Sequence, residues 1–204
     1  MKHLLKPLSF VALLALGTPV LAQTAATPEP ADPAAEAPAD PLALSMGADE
    51  NAEPKVGDIY VEAEFDDWEL RCFVSEQETD PCQMYQLLDD GNGNPVAEIN
   101  VFPLPEAQEA AAGATVITPL ETLLTQQLAM AIDGGKVKKY PFSWCGNIGC
   151  FSRIGFSDAD IAALKRGVTA TLTIVPVAAP DQKVNLTVSL KGFTAAFEAA
   201  KAKL

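Results

Sequence analysis

The chain has 204 residues, of which 27 are acidic and 14 basic, a net charge of −13, and 49% are hydrophobic. That balance excludes partners read through a basic patch, namely nucleic acid and anionic membrane surfaces. The single histidine, His3, lies in the predicted leader, so Ser-His-Asp and Cys-His chemistry are excluded from the rest of the chain.

The first element is a secretory leader over residues 1–22. Lys2 and Lys6 form a positive region, Leu8 to Leu16 a short apolar run, and Val20-Leu21-Ala22 a small-residue cleavage signal. The run is too short to cross roughly 30 Å of hydrocarbon, so cleavage after Ala22 is expected and no transmembrane segment in the mature chain. Residues 23–55 follow, rich in Ala and Pro, with seven acids against Lys55. Such a composition buries too little apolar surface to offset chain entropy, which predicts a disordered acidic linker. Residues 56–204 are of single-domain length and carry 20 acids and 11 bases, a net charge of −9.

Within that domain, "DIYVEAEFDDWELRCF" alternates. Trp68, Leu70 and Cys72 share one face, with Glu69, Arg71 and Phe73 opposite, as in half-buried strands. "CQMYQLLDDGNGNPVAEINVF" reads as strand, turn, strand. "LLTQQLAMAIDGGKVKKYPFSWC" repeats that logic around Asp133-Gly134-Gly135, and "CFSRIGF" is a further short strand. Ser157-Asp158-Ala159-Asp160 supplies a cap and first-turn acids for a helix that Gly167 ends. "VTATLTIVPV" and "KVNLTVSL" are β-branched strands, and "GFTAAFEAAKAKL" is an Ala-rich helix. Seven or eight strands and two short helices predict an all-β, antiparallel sandwich.

Export to an oxidising compartment gives the four cysteines their meaning. Cys72, Cys82, Cys145 and Cys150 allow three pairings. Local pairing is favoured, Cys72 with Cys82 across a turn and Cys145 with Cys150 around GNIG. A zinc site is disfavoured because only the second pair has knuckle spacing and no histidine assists. A redox pair is disfavoured because neither spacing is Cys-x-x-Cys and no helix follows Cys150.

Other candidate sites carry plainer readings. Glu62, Glu64, Asp66, Asp67 and Glu69 could supply a carboxylate pair or bind calcium, but a solvated strand face accounts for them. Asp90, Asn92 and Asn94 have the oxygen spacing of a calcium loop. Pro95 stands where that loop needs its glycine and Val101 where it needs its glutamate, so a hairpin turn is expected. Trp68 and Trp144 each lie near a cysteine and are expected to pack on a disulfide in the core. No cofactor or metal is called for.

Together "FDDWELRC" (65–72), "PCQMYQ" (81–86), the cysteines of 145–150 and "VSLKGFTAAFEA" (188–199) resemble the invasion-associated locus B family of exported bacterial proteins. The matching positions are Phe65, Trp68, Cys72, Cys82, Gln86, Cys145, Gly149, Cys150, Ser189, Leu190, Gly192 and Phe193, spread through nearly all of 58–200. The resemblance implies an immunoglobulin-like β-sandwich in the periplasm or outer cell envelope. It also implies a link to host-cell invasion in some members and no established enzymatic activity. No catalytic residue carries over; Phe65, Trp68, Gln86, Ser189, Gly192 and Phe193 are expected to be structural. The function expected is a non-enzymatic interaction module for an unidentified envelope or host protein, serving invasion or envelope integrity. The alternative is a periplasmic hydrolase or lyase using a carboxylate pair.

Overall fold

The computed structural model describes residues 53–106 and 108–204. The predicted leader and all but the last three residues of the acidic linker lie outside them.

Alternating side chains lay down the first five strands: β1 (Ile59–Phe65), β2 (Trp68–Phe73), β3 (Cys82–Asp89), β4 (Pro95–Pro103) and β5 (Ala112–Thr118). There follow β6 (Leu128–Ile132), β7 (Lys138–Tyr140), β8 (Phe142–Gly146) and β9 (Gly149–Phe156). Helix α1 (Asp158–Arg166), strands β10 (Thr169–Ile174) and β11 (Val184–Ser189), and helix α2 (Phe193–Lys201) complete the chain. One sheet has seven strands in the order β1-β2-β3-β4-β5-β9-β8; the other has four, β11-β10-β6-β7. Every ladder is antiparallel.

Period-two patterning sends one face of the large sheet inward. Trp68, Leu70 and Cys72 of β2 are at most 1% exposed, and Ile99, Val116 and Ile154 from β4, β5 and β9 join them. Leu128, Leu172 and Leu186 of the small sheet meet this face, together with Ile161 and Leu164 of α1 and Phe193 and Phe197 of α2. Each such side chain contributes roughly 1.5–3 kcal/mol on full burial. Helix α2 lies on the β1–β4 part of that face, and α1 touches β9 and α2. Ser157 caps α1 with the reciprocal bonds of a capping box through Asp160.

The fold is therefore the expected immunoglobulin-like antiparallel sandwich with two short helices and two disulfides. Among the described residues it has eleven strands rather than seven or eight. Strand β5, "AGATVIT", escapes the pattern because Ala and Gly are poor strand formers. It is nonetheless central. Its Gly113 is opposite Phe102, and a side chain at Gly113 would run into the Phe102 ring. The run Lys138–Gly146 reads as one strand but divides at Pro141. Strand β7 pairs with β6 in the small sheet, and β8 pairs with β9 in the large one.

Candidate functional site

Six residues of the sequence motifs, Phe65, Trp68, Gln86, Ser189, Gly192 and Phe193, converge in one cluster, whereas Cys145, Gly149 and Cys150 lie apart on the β8–β9 hairpin. The Trp68 indole Nε1 donates to the Ser189 carbonyl at 2.8 Å. The Gln86 Nε2 donates to the carbonyls of Asp67 (3.0 Å) and Ser189 (3.1 Å), while Ser189 N donates to Gln86 Oε1 at 2.8 Å. The Ser189 hydroxyl donates to Asp67 Oδ2 at 2.6 Å. Phe193 sets its ring edge-on to Trp68, centroids 5.4 Å apart, and Phe65 packs on the core. Gly192 has φ +83°, and a Cβ there would fall onto the Phe65 carbonyl oxygen. These contacts join the β1–β2 turn to β3, to the end of β11 and to the start of α2. Both polar ends of Gln86 are occupied within the protein.

Both disulfides are local. Cys72 and Cys82 are directly opposed on β2 and β3, and Cys145 and Cys150 on the β8–β9 hairpin. No group of three or more metal-ligating side chains gathers among the described residues. The "DDGNGNP" segment is the β3–β4 turn. The Asp90 carboxylate accepts from Asn92 N at 2.9 Å, Asn94 N at 3.3 Å and Asn94 Nδ2 at 3.1 Å. Those donors, the Asn94 amide foremost, hold its pKa down at about 2. The acidic run is dispersed among separate partners. Glu62 pairs with Lys203 at 2.7 Å, Asp66 with Lys191 at 3.0 Å and Glu69 with Arg71 at 2.7 Å.

A general acid would show a carboxyl pushed upward. Asp80, Asp160 and Glu198 move the other way, as Asp90 does. Asp80 is lowered by the Ser75 backbone N–H and then the Tyr60 hydroxyl. Burial raises Asp160, but hydrogen bonds from Lys138 and Ser157 outweigh it. The Lys165 ammonium lowers Glu198.

The outer face of the seven-stranded sheet has a different character. Strand register places Leu87, Glu98, Ile117, Phe151 and Trp144 in one row across β3, β4, β5, β9 and β8. Directly opposed residues share a face, so this row points away from the core. Leu87 is 56% exposed, Trp144 48%, and Ile148 at the adjoining hairpin tip 76%. Trp144 stacks on Phe151 with centroids 4.7 Å apart and planes 11° from parallel. The neighbouring row is polar: Glu69, Tyr85, Asn100, Thr115 and Arg153. The Arg71 guanidinium lies 3.3 Å above the Tyr85 ring, and its Nε donates to Glu69. Burial, reinforced by Glu98, raises the Tyr85 hydroxyl pKa. A shallow hollow of about 460 Å³ runs from Ile59 past Arg71 and Tyr85 to Ile148. The face thus presents a row of apolar side chains interrupted by Glu98 and bordered by charged and amide groups.

The expectation that both tryptophans pack in the core is corrected here. Trp68 is 1% exposed, whereas Trp144 stands on the outer face. The parity of "FSWCG" puts Trp144 opposite Phe151, not over the disulfide. The outer row itself was not picked out from sequence. Its signal is apolar residues on the solvent parity of neighbouring strands, such as Leu87 between the buried Gln86 and Leu88.

The family model described as "Invasion associated locus B (IalB) protein" matches residues 68–201. An invasion protein B homolog of Brucella abortus (strain 2308) is 26% identical over 138 residues, covering 68% of this chain and 78% of the relative. A homolog from Brucella abortus biovar 1 (strain 9-941) aligns with the same identity and coverage. The crystal structure of invasion associated protein B from Bartonella henselae shares the fold. It aligns with a TM-score of 0.58 and 23% identity, over 69% of this chain and 95% of that one. The match over most of the sandwich, joined to the convergence of Trp68, Gln86, Ser189 and Phe193, places the chain in the invasion-associated locus B family.

Proposed function

We propose that this is a non-enzymatic, exported envelope protein whose open seven-stranded face docks a protein partner, with a role in host-cell invasion or envelope integrity. The observation that carries the reading is the outward row of Leu87, Ile117, Phe151 and Trp144, with Glu98 between the first two. An exposed, stacked tryptophan beside aliphatic side chains is the composition of an interface hot spot. The polar row beside it supplies a rim that fixes orientation. The four paired cysteines suit an oxidising compartment, and the leader over residues 1–22 accounts for delivery to the periplasm or outer envelope. The motif residues Phe65, Trp68, Gln86, Ser189, Gly192 and Phe193 hold the two sheets and α2 in register and leave the open face free. The relatives are named invasion proteins, which is the ground for the invasion role. No observation favours the carboxylate-pair hydrolase or lyase.

The test is comparative capture from envelope extracts of the source cells. The wild-type chain is run beside Leu87→Asp/Trp144→Ser and beside Val177→Asp, a control away from the row. A protein retained by wild type and by the control, and lost with the double variant, is the expected result. Equal retention by all three chains overturns the assignment of the face.

A further inference from the structure

A second recess lies away from the open face, between the β6–β7 loop, α1 and β9. Its volume is about 380 Å³. Its apolar lining comes from Met130, Ile132, Tyr140, Phe156 and Ala163. Five charged side chains surround this lining: Asp133, Lys136, Lys138, Asp160 and Arg166.

Both acids are already committed. Asp133 Oδ1 accepts from Val168 N at 3.0 Å and Thr169 N at 2.9 Å, and so fastens the β6 end to the start of β10. Asp160 pairs with Lys138 at 2.6 Å and also completes the α1 cap. Lys136 and Arg166 are left. Among the described residues neither forms an ion pair, although the domain carries nearly twice as many acids as bases. The five charges sum to +1, three cations against the Asp133 and Asp160 carboxylates, so this apolar recess has a net positive rim in an acidic domain and is complementary to a ligand with one negative end and an apolar body. A space of this size holds about a dozen heavy atoms, at roughly 30 Å³ each.

We propose that the recess binds a small anionic amphiphile: one acidic head group held by Lys136 and Arg166, and an apolar body of about ten carbons laid along Ile132, Tyr140, Met130 and Phe156. The head is a carboxylate or a phosphate monoester, both anionic at neutral pH, the second carrying more charge than the first. This site is independent of the protein-docking face, and each stands if the other fails.

The test is calorimetric titration of the full, disulfide-intact chain with decanoate, decyl phosphate, 1-decanol and acetate, below any micelle concentration. Methyl NMR of Ile132 and Ala163 locates the binding. One of the two anionic decyl probes should bind at least tenfold more tightly than 1-decanol, and the tighter of them identifies the head group. Acetate, lacking the apolar body, should bind far more weakly. Lys136→Gln and Arg166→Gln should each weaken binding about tenfold, while Arg153→Gln on the outer face leaves it unchanged. Raised salt should weaken the anion and not the alcohol. Both substitutions are at exposed positions, and matching melting temperatures will confirm that the variants fold. The proposal is overturned if 1-decanol binds as tightly as the anions, if neither substitution weakens binding, if the methyl shifts appear elsewhere, or if no decyl probe binds.

Discussion

Replacing Gln86 by Ala removes three hydrogen bonds at once: Nε2 to the Asp67 and Ser189 carbonyls, and Ser189 N to Oε1. The side chain is 7% exposed, so water cannot readily take its place. The Ser189 carbonyl keeps the Trp68 indole at 2.8 Å, but the Ser189 N–H is orphaned. An orphaned buried donor costs about 1–3 kcal/mol, and the space left by the side chain adds about 1 kcal/mol. The expected loss is about 3 kcal/mol, a fall of roughly 6–12 °C in Tm for a domain of this size. Urea unfolding followed by tryptophan fluorescence should give a lower midpoint with an unchanged slope. Gln86→Glu sharpens the test. It keeps the acceptor but turns a carboxylate toward two carbonyl oxygens, which raises its pKa above the unfolded value. Relative to wild type at the same pH, it should therefore be more stable at low pH, and that difference should be lost as pH rises through the raised pKa. Ser189→Ala, which removes only two exposed hydroxyl contacts, the one donated to Asp67 Oδ2 and the one accepted from Lys191 N, should cost under about 1 kcal/mol. A Gln86→Ala chain within about 0.5 kcal/mol of wild type, the range of an ordinary surface change, would refute the clasp.

The two disulfides should rank in a defined order. The Cys145→Ser/Cys150→Ser chain frees a short loop and should lose about 2 kcal/mol, whereas Cys72→Ser/Cys82→Ser frees a longer one and should lose about 3 kcal/mol or more, since Cys72 is fully buried. Chemical denaturation of the two double variants checks the order. Gly192→Ala combines a left-handed φ of +83° with a Cβ driven onto the Phe65 carbonyl, and should lose at least about 3 kcal/mol or fail to accumulate, read from melting curves and yield. Stability should fall on acidification. Asp80, Asp90, Asp160 and Glu198 all have folded pKa values depressed below their ordinary values of 3.8 to 4.5, so the unfolded chain takes up protons first. The stability they supply is complete above that range and should drain away down to about pH 2, where Asp90 titrates; melting temperatures across pH 2–6 check it. Trp144→Ala should leave the melting temperature within a few degrees of wild type, because the ring is 48% exposed and stacks on one neighbour, measured by thermal unfolding.

The sandwich was legible where side chains alternate strongly. The Trp68, Leu70, Cys72 parity gave β2, the β-branched runs gave β10 and β11, and Ser157 with Asp160 announced α1. Strand β5 was illegible because Ala112, Gly113 and Ala114 lack the bulk that marks a strand; its neighbours on β4 and β9 supply that bulk instead. The β7–β8 corner was hidden because a single proline, Pro141, moves the chain between sheets without interrupting the polar–apolar rhythm. The motif residues were visible as a set, but their meeting depends on a separation of over 100 residues between Gln86 and Ser189, which no local pattern encodes. The outer row is likewise a property of register. Leu87, Ile117 and Trp144 fall in one row only when four ladders align them. Trp144 was misplaced because proximity to Cys145 in sequence suggested a core position, whereas alternation sends the two side chains to opposite faces.

The open seven-stranded face is the surface proposed to meet a partner. Photo-crosslinking in the source cells addresses it directly. A photoreactive residue is placed singly at three row positions, Leu87 and Trp144 on the row and Ile148 on the hairpin tip adjoining it, and at Val168 or Val177 away from it, all five exposed. A discrete adduct of the same partner from the three row positions, and none from the two controls, is the result predicted. Adducts that arise from Val168 and Val177 while the row positions stay silent would contradict the account.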